Sequence, residues 1–346
     1  SIIASGVEVT SGKFTVTAAQ RTVALSVEDG ALKANFANFW RDGAWCGAIA
    51  ANDAATLYIS QNSTLTVSEA LSLGAVTIVK EGDGNVTLTV SGAGKLSANG
   101  LSVPAGVTLE VSGDMTISGT VSGSGTINVP NGGKLTMDGA TCSTKITVQS
   151  GGTLDTDGTT VLSSTANTFA TGCYLNIGGT KTSLTAAKEK LSGTITIAAN
   201  AELENVRVDD AMDFSSASQV DVYGTLNMAN TRWTLKTVNT INLYAGGEIK
   251  GNGQGSYGAL DAAGAITINV KGTSTISAKL RTRNNLTLNV ESGTLTYTGS
   301  TSNEYTGNQL IKTGAGTIEA SVAPQCIWKS KIGRASCRER VEISAV

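Results

Sequence analysis

A short apolar–polar motif returns along this chain at intervals of about twenty residues, the signature of a repeat architecture. Val86-Thr-Leu-Thr-Val90 returns as Val107-Thr-Leu-Glu-Val111. Ile266-Thr-Ile-Asn-Val270 returns as Leu286-Thr-Leu-Asn-Val290, and Thr126-Ile-Asn-Val129 returns as Thr240-Ile-Asn-Leu243. Between them sit shorter runs. The centres Leu109, Ile117, Ile127, Leu135, Ile146 and Leu154 follow one another at roughly half the step, and every second one falls close to the full step. Each run alternates with a period of two, so Val107, Leu109 and Val111 face one way while Thr108 and Glu110 face the other. Glycine-containing turns separate the runs, among them Ser122-Gly-Ser-Gly125, Asn131-Gly-Gly133 and Gly246-Gly247. An antiparallel sandwich also places strands roughly every 8 to 12 residues, but hairpins do not require a motif to recur at a fixed step. A stack of coils does, because like strands must pair in register. The expected fold is all-β, a parallel β-solenoid of single-stranded coils with about 20 residues per coil. Some 300 residues then give roughly 15 coils and a rod of roughly 70 Å at about 4.8 Å per coil.

Composition narrows the function. Histidine is absent from all 346 residues, which removes Ser-His-Asp and Cys-His catalysis and any His-ligated metal. The net charge of -2, with no basic stripe, argues against nucleic acid. No apolar run reaches the roughly 18 to 20 residues of a membrane helix. The five cysteines, Cys46, Cys142, Cys173, Cys326 and Cys337, hold no CxxC and no metal spacing. Inward-facing free thiols are the preferred reading of Cys142 and Cys173, with a disulfide between them as the alternative.

Four segments are expected. Residues 1–28 are first solenoid strands or an N-terminal fragment, 29–55 an aromatic-rich insertion or cap, and 56–324 the solenoid repeats. Residues 325–346 are an irregular tail. Its last part, 331–346, carries 6 of the 52 charged residues without strand alternation. Ile332 to Val341 resembles the translation of a sequencing adapter, so 331–346 is set aside as an artefact and the chain is expected to be a fragment.

Residues 29–55 hold Phe36, Phe39, Trp40 and Trp45, four of the nine Phe and Trp of the chain. Phe36, Phe39 and Trp40 have i, i+3, i+4 spacing, which predicts a short helix or lid packed on the solenoid. These four are also the candidate binding residues, as a stacking platform for a sugar ring. A second break, Thr182 to Leu191, predicts a loop excursion or a short helix capped by Ser183. A third is Gly251 to Ala262, with Tyr257. Loops on a rigid scaffold are where recognition usually sits.

Catalytic candidates are acids. Asp209, Asp210 and Asp213, beside Arg207, form the densest cluster, and Asp155 and Asp157 are two apart on one face. Solvated coil-edge acids are the plainer reading of both. Glu81-Gly-Asp83-Gly-Asn85 has a superficial likeness to a Ca²⁺ loop but lacks the nine-residue repeat. No catalytic residue, metal or cofactor is therefore assigned.

One motif goes further. Leu310-Ile-Lys312-Thr-Gly314-Ala-Gly316-Thr-Ile318, preceded by Asn303-Glu-Tyr305-Thr-Gly307, resembles the autotransporter-associated β-strand repeat of bacterial surface proteins. Ile78-Val-Lys80-Glu-Gly82-Asp-Gly84-Asn-Val86 is a weaker copy. The remaining coils lack the K-x-G-x-G pattern. The resemblance implies a non-enzymatic, secreted or surface-displayed structural or adhesive region, a stalk or adhesin passenger. It implies an extracellular or outer-membrane location, with host or cell-surface glycans or proteins as partners. The alternatives are a polysaccharide-degrading β-helix lyase or hydrolase and a phage fibre component.

Overall fold

A computed structural model describes residues 12–18, 21–28, 31–35, 39–46 and 51–330, apart from 165, 186–189, 206–210, 229–231, 236–239, 252–258, 263–264, 283–284, 300, 304–309 and 321–327. The described residues are strands and turns, with no helix among them. From Phe39 onward the described strands, apart from the short hairpin strand Ala44–Cys46, stack in parallel, which establishes the β-solenoid.

Each coil has three sides. The first face carries strands such as Val107–Val111, Thr126–Val129 and Lys145–Val148, paired in register. The second carries Lys134–Asp138, Thr153–Asp157 and Tyr174–Ile177. The third carries Thr141–Cys142, Thr159–Leu162 and Lys181–Leu184. The alternation read from the sequence located the first two faces. The third escaped it because several of its interior positions are small or polar (Ala140, Cys142, Thr160 and Thr182, all buried) and interrupt the aliphatic beat between residues such as Leu162 and Leu184.

The second face is a continuous ladder of twelve strands from Leu71–Leu73 to Leu310–Thr313. The step between paired residues is not uniform: it is short from Thr108 to Thr126 and long from Thr240 to Thr267. The longer steps hold the stack below the fifteen coils that a uniform period would give. At about 4.8 Å per rung the twelve-strand ladder is roughly 50 Å long.

The core is the set of inward rows. Leu109, Ile127 and Ile146 line the first face, Leu135, Leu154 and Leu175 the second, and Leu162, Leu184 and Leu203 the third, each at 2% exposure or less. A single coil leaves such a row half uncovered, so stability accumulates by stacking. Threonine is the commonest outward residue, and its branched Cβ suits a pleated surface.

Four expectations are revised at the ends. Gly12–Ala18, Arg21–Glu28 and Ala31–Asn35 form an antiparallel meander, which sets aside the solenoid-strand alternative for residues 1–28 and leaves that of an N-terminal fragment. The predicted helix around Phe39 and Trp40 is also absent. Phe39–Arg41 turns through Asp42-Gly43 into Ala44–Cys46, with Trp40 opposite Trp45, and also pairs in parallel with Ala55–Ile59. Both turn residues have positive φ, 42° and 107°, as a two-residue hairpin requires. The aromatic spacing resembled a helix, but Phe39 and Trp40 are consecutive residues of a short strand. The solenoid thus starts at Phe39, ahead of residue 56. Trp328–Ser330 pairs with Leu310–Lys312, so part of the expected irregular tail is another rung, while 331–346 lie outside the described residues.

Candidate functional site

Trp40 and Trp45 do not form an open platform. Trp40 is 1% exposed and belongs to the core, and Trp45 is half-buried and packed against it. Asp42 fastens their hairpin to the next coil. Its Oδ2 accepts from the Ser60 hydroxyl (2.7 Å), and its Oδ1 accepts from the Ser60 amide (3.0 Å) and the Ser63 hydroxyl (3.2 Å). A ring closed in this way cannot stack on a sugar, so Trp40 is withdrawn as a binding residue. Phe39 lies on the strand, and Phe36 lies outside the described residues.

The other breaks are partly resolved into strands. Thr182 and Ser183 sit within the strand Lys181–Leu184, so Ser183 caps no helix there, while Ala186, Ala187 and Lys188 lie outside the described residues. Ala259–Ala262 is a first-face strand, and Tyr257 lies outside the described residues. Of the acidic cluster, Asp213 falls on a strand paired with Thr234, and Arg207, Asp209 and Asp210 lie outside the described residues.

Asp155 and Asp157 do share the outward side of the second face. Asp155 is held by Lys134 (3.0 Å) and accepts from Asn176 Nδ2 (2.8 Å), and Asp157 accepts from the Gly158 amide. The hydrogen bond from Lys134 to Asp155 keeps the ammonium above the usual lysine range. On the third face Lys181 bridges Glu202 and Glu204, and Asn227 Nδ2 donates to both carboxylates. The hydrogen bond to Glu204 raises Lys181 in the same way. Farther along the second face, Asn242 donates to Asp221 (2.7 Å), Asn269 to Asn242 (3.1 Å) and Asn289 to Asn269 (3.0 Å). These groups bond from one coil to the next rather than converging on an open point. Among the described residues no group of three metal-ligating side chains gathers, and the Glu81 to Asn85 turn holds no such cluster.

Cys142 and Cys173 are buried and free, as the preferred reading has it. Burial pushes the Cys142 thiol up to about 11 and raises Cys173 too, so neither is a ready nucleophile. Each faces a backbone carbonyl, Thr144 and Ser192 respectively, at 3.4 and 3.3 Å.

The two Lys-x-Gly-x-Gly copies have the same local chemistry at different corners. Lys80 ends a third-face strand and donates to the carbonyl of the motif's second glycine, Gly84; Lys312, next to last in a second-face strand, donates to that of its first glycine, Gly314, both at 2.8 Å. The motif is thus a corner device, in which a lysine satisfies a turn carbonyl.

Reading for loops also missed two surface tyrosines. Tyr174 (47% exposed) and Tyr223 (37%) are the exposed large hydrophobic side chains among the described residues. Tyr174 carried a signal, since it stands in the polar phase of Tyr174-Leu-Asn-Ile. Tyr223 stacks on Tyr244 with centroids 4.0 Å apart and planes 10° from parallel, and Lys271 Nζ lies 5.3 Å from the Tyr244 centroid. The architecture therefore defines a three-sided parallel β-solenoid with an aromatic stack on one corner. No family model matches the chain, and neither a curated protein nor a solved structure matches it. Among the described residues, no helix is long and apolar enough to cross a membrane.

Proposed function

We propose that the chain is a non-enzymatic, secreted or surface-displayed solenoid that acts as a stalk or adhesin passenger at the extracellular or outer-membrane surface. Host or cell-surface glycans or proteins would be its partners. The observation that carries the reading is the use of the outward polar groups. Asp155, Glu202, Glu204 and Asp221 are each committed to a lysine or amide of an adjacent rung. Such bonds stiffen a rod, whereas acid–base chemistry calls for a carboxyl within reach of a substrate proton. The two Lys-x-Gly-x-Gly corners support the same reading through their resemblance to the autotransporter-associated repeat. A rod built from local contacts can also form coil by coil after export.

Two measurements test this. Protease treatment of intact cells making the protein is expected to cleave it, and beads coated with the chain are expected to adhere to cells. Protection from protease together with absent adhesion overturns the proposal. Release of reducing ends from polysaccharide would replace it with the lyase or hydrolase reading, and a trimer in light scattering would replace it with the fibre reading.

A further inference from the structure

We infer that the second face between Tyr174 and Tyr223 binds a short neutral oligosaccharide, with the open side of the Tyr223 ring as its principal stacking surface. This rests on the adhesive reading above and names the site and ligand class for it.

The ring is open on one side because of the corner column in which it stands. Backbone hydrogen bonds carry that column from Gly178 through Ala198, Tyr223 and Tyr244 to Lys271. Tyr244 covers one side of the Tyr223 ring, and Lys271 closes the far end of the stack. On the other side the preceding rungs place Ala198, which is exposed, and Gly178 in register with the ring. Neither has a side chain beyond Cβ, so a ledge about one to two rungs deep, at about 4.8 Å per rung, lies against the aromatic ring. Tyr174 stands two rungs earlier and four residues across the face. That places the two tyrosines roughly 16 Å apart, from about 3.3 Å per residue and about 4.8 Å per rung.

The floor between them is polar. Thr194 and Thr196 occupy the intervening rung, in register with Tyr174 and Asn176 on one side and with Gln219 and Asp221 on the other. The C–H groups of one side of a pyranose carry partial positive charge and suit the negative face of an aromatic ring, while its hydroxyls need donors and acceptors alongside. This floor supplies hydroxyls and amides. Its one formal charge is Asp221, whose oxygens accept from Asn242 and Gln219 (2.7 Å each), so it disfavours uronic or sialic acids.

The test immobilises the full chain and passes over it soluble β-glucan and chitin-type oligomers, with oligogalacturonate as the acidic counterpart. The parent is expected to retain a neutral oligomer and not the acidic one. Tyr223→Ala is expected to weaken retention about five- to tenfold, the loss of one stacking contact. Ala198→Tyr extends the stack over the ledge and should abolish retention while leaving the melting temperature within a few degrees. Retention unchanged in both variants, preference for the acidic oligomer, or no retention of any oligomer overturns the inference. Bead adhesion separates this failure from that of the parent reading: adhesion that persists without oligomer binding removes only the sugar site, and loss of both removes the adhesin.

Discussion

Thr182 donates its hydroxyl to Thr156 Oγ1 across 2.6 Å inside a largely aliphatic interior, joining the third face to the second. Both side chains are buried, at 0% and 3% exposure. Replacing one partner strands the other in a place water does not reach. Thr182→Val is therefore expected to cost about 1–3 kcal/mol, whereas the Thr156→Val, Thr182→Val double variant should recover much of it. A double-mutant cycle by chemical denaturation checks this, and simple additivity of the single losses would contradict it.

Trp40 closes the first rungs. Truncation to alanine is expected to cost about 3–5 kcal/mol where the cavity cannot collapse. Because each coil touches only its neighbours, the damage should stay local. Hydrogen exchange is the measurement. Protection at Leu57 and Ile59 should fall while that at Leu288 is kept, and uniform loss along the rod would count against a stack of locally coupled coils.

The two lysine–glycine corners should respond differently to alanine. Gly314 has φ +82°, and an added Cβ would sit 2.1 Å from the Val290 carbonyl oxygen. Gly314→Ala is expected to lose at least about 1–2 kcal/mol from backbone strain alone. Gly84 faces open space, so Gly84→Ala should stay within about 0.5 kcal/mol of the parent. Thermal melts of the two variants make the comparison, and equal losses would refute it.

Alkaline pH should loosen the outer ladders. Lys134 and Lys181 are held above the ordinary lysine range by hydrogen bonds to Asp155 and Glu204. A cation whose folded value is raised contributes its full stabilisation at neutral pH and loses it as pH climbs from the unfolded value through the folded one. The melting temperature is expected to hold to about pH 9 and decline above about pH 10. A Lys134→Met, Lys181→Met variant should show a shallower decline, and identical pH profiles would remove the two pairs from the account.

Much of the fold was legible because alternation and period are local properties. Val107-Thr-Leu-Glu-Val111 shows its buried side in five letters, and the return of the Val86 motif at Val107 is the register that the strands adopt. The third face was not legible, since Thr141-Cys142 and Lys181-Thr-Ser-Leu184 bury threonine, serine and cysteine and so break the apolar rhythm. The Asp42-Gly43 dipeptide between Trp40 and Trp45 did carry a hairpin signal, which the helical spacing of the aromatics overrode.

The chain's letters alone settled that strands alternate, recur and stack in parallel, because side-chain direction and motif spacing depend only on neighbouring positions. Tertiary structure decided how many sides a coil has, which tryptophan is buried, and which tyrosines meet solvent. Those outcomes depend on what the adjacent rung places above each residue: Ala198 on one side of Tyr223, Tyr244 on the other. Residues a full coil apart in the chain meet there, and their meeting is fixed by the summed lengths of the intervening corners rather than by any single motif.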